Sequence, residues 1–126
     1  PIIQFHGDES EDFCKSLGCE FWKALRIKDS QSLEDIKLFS SAEAILFDTF
    51  KEGMFGGTGS SFDWRIINSD LLLQKKIIIS GGLSIENFEN ALKINPWCLD
   101  FNSGVESAPG LKDHSKIMEI LSFIDK

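Results

Sequence analysis

The chain has only three cysteines, Cys14, Cys19 and Cys98, an odd number at spacings that fit neither a zinc site nor a dithiol motif. They read as reduced, mostly buried small side chains with structural roles, and no metal site is expected. No apolar run reaches the roughly 20 residues needed to span a bilayer, and no signal-peptide pattern is present. A membrane partner is therefore not expected, and the cytoplasm is the default address. Basic residues are also scarce: 13 Lys and Arg against 20 Asp and Glu give a net charge of -7. Nowhere do they gather with aromatic side chains, which argues against nucleic-acid binding. Linkers, low-complexity segments and long internal repeats are missing too.

The 42% apolar and 26% charged residues are ordinary for one folded domain with a real core. Five apolar runs read as strands: Ile2 to His6, Glu20 to Ile27, Ala44 to Thr49, Lys76 to Ser80 and Cys98 to Asn102. They are near-continuous, as in parallel strands covered on both faces. Helical patterns lie between them, with start signals at Asp8, Ser32, Asp63 and Ser84, and Gly18 stands where a C-cap is expected. A last helix is expected after Asp113, with Ile117, Ile120, Leu121 and Ile124 on one face. Strict βα alternation leaves a (β/α) barrel or a doubly wound sheet.

Length favours part of a barrel. Spread over five strands, 126 residues allow about 25 per βα unit, whereas a complete eight-unit barrel needs roughly 200 or more. Phosphate in such barrels commonly binds the loops after strands seven and eight. The two strand ends richest in small residues, Ser80-Gly81-Gly82-Leu83 and Asp100-Phe101-Asn102-Ser103-Gly104, are the last two here. The fold class expected is therefore α/β, a partial (β/α)₈ TIM barrel carrying strands 4 to 8, with residues 1–126 as a single C-terminal fragment that lacks three units.

Several side chains fit that mouth. Asp48 ends an apolar strand on the face of Ala44 and Leu46, where a barrel acid points at substrate; its competing role is to bind loop amides. Gly81, Gly82, Ser103 and Gly104 offer unhindered amides for a phosphate dianion, supported by helix N-termini starting at Ser84 and just after Ser103. Tight turns requiring positive φ would explain the same glycines. Gly56, Gly57, Thr58 and Gly59 read as a mobile lid or a plain surface loop. His6 closes the first strand at the same mouth, and Asp100 shares a face with Asn102. Asp63 reads as a helix cap, Trp22 and Trp64 as packing residues, and His114 as solvent-facing.

Six motifs in order, His6-Gly7-Asp8-Glu9, Trp22-Lys23-Ala24, Leu46-Phe47-Asp48, Gly56-Gly57-Thr58-Gly59 with Phe62-Asp63-Trp64, Ser80-Gly81-Gly82-Leu83, and Asp100 to Glu106 with Pro109-Gly110 and Lys112-Asp113, resemble the phosphoribosylanthranilate isomerase family of tryptophan biosynthesis. The resemblance runs the length of the chain and corresponds to the C-terminal three-fifths of that family. It implies an Amadori rearrangement of N-(5-phosphoribosyl)anthranilate on a barrel, with neither metal nor organic cofactor. It implies Asp48 as the general acid that opens the sugar ring and His6 against the anthranilate carboxylate or ring; for Asp100, support of the sugar hydroxyls and a buried structural hydrogen bond are equally good readings.

The general base of the family is a cysteine on the first barrel strand, and none of Cys14, Cys19 or Cys98 matches it. The resemblance thus implies a chain inactive alone, and the two strand edges left unpaired imply self-association or a marginally folded state. Ser60 departs from the family, which often has Lys there. Two alternatives are a related barrel such as indole-glycerol-phosphate synthase, for which Lys23 is the sole candidate lysine, and a non-catalytic phosphosugar-binding module.

Overall fold

The computed structural model describes residues 1–49 and 64–125. Strands β1 (Ile2–Phe5), β2 (Glu20–Arg26), β3 (Ala44–Asp48), β4 (Lys76–Ser80) and β5 (Cys98–Leu99) form one parallel sheet in sequential order. A doubly wound sheet would reverse its order at a switch point, so that alternative is excluded.

The period of two divides each strand between two apolar layers. Ile45, Phe47, Ile77 and Ile79 join Phe5 and Phe21 in the larger core on the side of the connecting segments. Ala24, Ala44, Leu46 and Ile78 form a second, smaller cluster with Trp22 on the opposite face. Burial on both faces is why the strands read as continuous apolar runs. Each fully buried Ile or Phe contributes roughly 1.5–3 kcal/mol.

Several helix starts differ from the sequence reading. Helix α1 (Glu11–Ser16) begins from Ser10, whose hydroxyl accepts from the Phe13 amide, and not from Asp8. The loop before it is held by Glu9, which leaves the cap to Ser10. After β2 comes a ten-residue 3₁₀ segment, Ser30–Phe39, started by Asp29. The expected cap, Ser32, instead donates its amide to the Asp29 carboxylate. Residues 64 to 66 form a 3₁₀ turn, and α2 (Ser69–Gln74) is capped by Asn68; the cap expected at Asp63 lies outside the described residues.

Gly18 adopts φ +70 behind α1, the left-handed conformation a C-cap glycine supplies. The fifth strand is shorter than expected, because only Cys98 and Leu99 pair with β4. Before α3 (Phe88–Leu92), the Asn87 and Phe88 amides close a turn on the Ser84 carbonyl. An unforeseen hairpin, β6 (Glu106–Ala108) with β7 (Leu111–Lys112), turns at Gly110, whose φ is +79.

Helix α4 (His114–Ile124) starts as expected from Asp113, whose carboxylate accepts from the Ser115 and Lys116 amides. Ile120 packs with Phe88 and Val105. Leu121 and Ile124, expected on the same buried face, are exposed, because no described element covers that side. No helix among the described residues is long and apolar enough to cross a membrane.

Candidate functional site

The strand register aligns the side chains at the C-terminal edge of the sheet. Arg26 on β2, Asp48 on β3 and Ser80 on β4 are mutual register partners, so all three stand on the face of Ala24, Leu46 and Ile78, not on the face of the larger core. Nε2 of His6, just beyond β1, lies 3.6 Å from Oδ2 of Asp48. Their side chains are 58% and 20% exposed, so both are open to a ligand.

Asp100 joins the row through the Ser80 hydroxyl, 3.4 Å from its carboxylate, while its amide donates to the Ile79 carbonyl. Thr49 is buried and ties the ends of β3 and β4 together, since its hydroxyl lies 2.9 Å from the Ser80 carbonyl and 3.1 Å from that of Gly81.

Two loops meet beside this row. Gly81 and Gly82 both have positive φ, 86° and 72°, and their amides find no acceptor among the described residues. The turn Ser103–Val105 packs against the continuation of that loop at Leu83 and Ser84: a Cβ on Gly104 would stand 1.7 Å from the Leu83 carbonyl oxygen. Gly104 is therefore required by close approach. The Asn87 side chain holds the first loop from behind, donating to the Gly82 carbonyl and accepting from the Ser84 amide. Regular helix starts only at Phe88 and α3 is five residues long, so the helix N-terminus expected at Ser84 is instead a turn, with the Gly81 and Gly82 amides before it. The expected lid residues Gly56, Gly57, Thr58 and Gly59 lie outside the described residues.

Lys23 faces away from the mouth. It is 2% exposed on the side of the larger core, where its ammonium donates to the Gly7 carbonyl and the Glu9 carboxylate. The hydrogen bond from Lys23 holds the Glu9 carboxyl below the usual carboxylate range. This placement removes the one lysine available to the indole-glycerol-phosphate synthase reading. Cys14 is buried, Cys19 half-buried and Cys98 exposed, so the expectation of burial fails for Cys98, which stands at the sheet edge. Trp64 is buried, Trp22 packs edge-on against Trp97, and His114 is exposed. Arg26 was missed by the sequence reading, although its spacing of two from Ala24 places it on the mouth-facing side.

The chain matches the sequence profile of N-(5'-phosphoribosyl)anthranilate (PRA) isomerase over residues 1–122. It belongs to the PRA isomerase family. A relative from Nitrosospira multiformis named N-(5'-phosphoribosyl)anthranilate isomerase is 42% identical over 118 residues, covering 92% of this chain and 56% of that protein. The crystal structure of the Thermotoga maritima phosphoribosyl anthranilate isomerase superposes with TM-score 0.82 at 31% identity, covering 96% of this chain and 60% of that one. Another phosphoribosyl anthranilate isomerase, solved in complex with reduced 1-(o-carboxyphenylamino)-1-deoxyribulose 5-phosphate, superposes with TM-score 0.74 at 28% identity, covering 92% of this chain and 55% of that one. The chain thus spans about 60% of the length of the curated PRA isomerases it matches. Among the described residues, no group of three His, Cys, Asp or Glu is placed to hold a metal.

Proposed function

We propose that these residues carry the phosphate grip and the general acid of a PRA isomerase, acting in the cytoplasm in tryptophan biosynthesis. The observation that carries this reading is the Asp48 carboxylate at the C-terminal end of β3, 3.6 Å from His6, in a chain that matches the family profile over residues 1–122. In this reading the five parallel strands are the counterparts of strands 4 to 8 of the family barrel.

In this reading the substrate phosphate sits on the amides of Gly81, Gly82, Ser103 and Gly104. The aryl group lies against His6, and Asp100 supports the sugar hydroxyls. Asp48 protonates the ribose ring oxygen, the C1–O bond opens, and the anthranilate nitrogen takes up the electron deficiency as an imine. A base then removes the proton from the second sugar carbon and the aminoketose forms.

No cysteine here is placed to be that base. Cys14 is buried among the helix-side residues, Cys19 lies in a bend before β2, and Cys98 opens β5 at the end far from the mouth. The chain alone is therefore inactive, and its substrate is the phosphosugar that a completed barrel would hold.

The test follows the loss of anthranilate-type fluorescence from phosphoribosylanthranilate, with this chain alone and with a polypeptide supplying the first three βα units of a relative. Turnover only on mixing is expected. Turnover by the chain alone would overturn the missing-base argument, and a folded mixture without turnover would overturn the assignment to this reaction.

A further inference from the structure

The peptide that follows His6 is held by the buried Lys23 ammonium, paired with the half-buried Glu9 carboxylate, from the opposite face of β2 to the mouth. The Lys23 ammonium donates to the Gly7 carbonyl at 2.6 Å and to Oε1 of Glu9 at 2.9 Å, and it lies 5.1 Å from the centre of the Phe39 ring. The same Glu9 oxygen accepts from the Gly7 amide at 3.0 Å. Both polar groups of Gly7 are thus engaged by one ion pair. A Cβ at that position would stand 2.7 Å from the other Glu9 oxygen, so the loop and the carboxylate are in direct contact.

Burying an ammonium at 2% exposure is unfavourable unless it is paired and hydrogen-bonded. An apolar side chain of similar volume would fill the space between β2 and Phe39 without that penalty. What the charge adds is direction, because it fixes where the chain leaves β1. That exit sets where the His6 ring stands relative to Asp48.

We infer that Lys23, acting with Glu9, is a positioning residue that holds His6 against Asp48 at the mouth. This rests on the phosphosugar reading above for its consequence in binding, though not for the geometry itself. Lys23 touches no substrate. It acts through Gly7 on the side chain proposed to meet the aryl group.

The test uses Lys23→Met and Glu9→Gln, with two ligands in titration calorimetry: reduced 1-(o-carboxyphenylamino)-1-deoxyribulose 5-phosphate and ribose 5-phosphate. Lys23→Met should weaken the aryl ligand about tenfold and leave ribose 5-phosphate unchanged. The chain has two histidines, so the ring resonances of His6 can be followed by NMR with His114 as internal reference. Lys23→Met should shift or broaden those of His6 alone.

Equal weakening of both ligands, or unchanged affinities with an unmoved His6 resonance, would overturn the inference. If Lys23→Met does not fold by circular dichroism, Glu9→Gln decides by the same two readouts. If the unsubstituted chain binds neither ligand, the phosphosugar reading fails, and the His6 resonance still supports or overturns the positioning role.

Discussion

Nε2 of His6 stands 3.6 Å from Oδ2 of Asp48 although the strands that end at these residues, β1 and β3, are separated by β2. The imidazole therefore leans across the end of the intervening strand. That contact brings an imidazole and a carboxyl group together at the C-terminal edge of the sheet.

Replacing Asp48 by Asn should remove the proton donor and keep the shape. In the completed barrel kcat should fall by at least about a hundredfold, while the circular dichroism spectrum and thermal midpoint stay close to those of the parent. Retained turnover would refute the acid role.

Gly104 and Gly18 differ in what an added methyl group meets. At Gly104 it would stand 1.7 Å from the buried Leu83 backbone, whereas at Gly18, with φ +70, nothing lies within 4 Å. Gly104→Ala should cost about 3 kcal/mol by overpacking and abolish phosphate binding. Gly18→Ala should cost roughly 1–2 kcal/mol through its left-handed backbone alone and leave phosphate binding intact. Denaturant titration and calorimetry with inorganic phosphate separate the two.

Acid should destabilise the fold. The carboxyls of Glu9 and Glu43 are held low by hydrogen bonds from Lys23 and Lys76, that of Glu11 by the Ser41 amide, and that of Glu106 by Lys112. Each folded pKa lies below its unfolded value, so the unfolded chain binds more protons and stability rises with pH through this range. The contribution is complete above the ordinary glutamate pKa of about 4.3 and is lost as pH falls through the depressed values. The thermal midpoint measured from pH 7 down to 3 should stay level and then drop, and Glu9→Gln should flatten the drop.

The outer strands β1 and β5 each have one neighbour in the described sheet, and Trp97, Leu121, Phe123 and Ile124 are exposed near β5. Self-association at this edge should appear in light scattering as a mass that rises with concentration. Cys98, exposed at the same edge, should label with a thiol reagent more slowly as association proceeds, while Cys14 stays protected until unfolding. A mass of one chain at every concentration, with Cys98 labelling unchanged, would contradict this.

Much of the fold was legible because the strands are unusual in composition. Lys76 to Ser80 was delimited correctly and Ala44 to Thr49 to within one residue, since consecutive Ile, Leu and Phe bounded by charge or glycine have few other readings. Caps were less legible. Asp29 and Ser32, or Asp8 and Ser10, are equally good acceptors locally, and the choice between them depends on which loop is held elsewhere. The hairpin after Glu106 was overlooked despite Pro109-Gly110, because strands of two or three residues carry no readable periodicity.

The sequence by itself determined the order of the five strands, the end of β4 at Ser80, and the position of Asp48 within one residue of its strand's expected end. A period of two fixes which residues share a face, and local chemistry fixes where a strand stops. Only the tertiary structure decided which face is which. Sheet register set Arg26 beside Asp48, the loop after β1 brought Gly7 and Glu9 onto the Lys23 ammonium, and backbone contact with Leu83 made glycine necessary at position 104. Those outcomes depend on residues distant in the chain, and periodicity carries no information about such contacts.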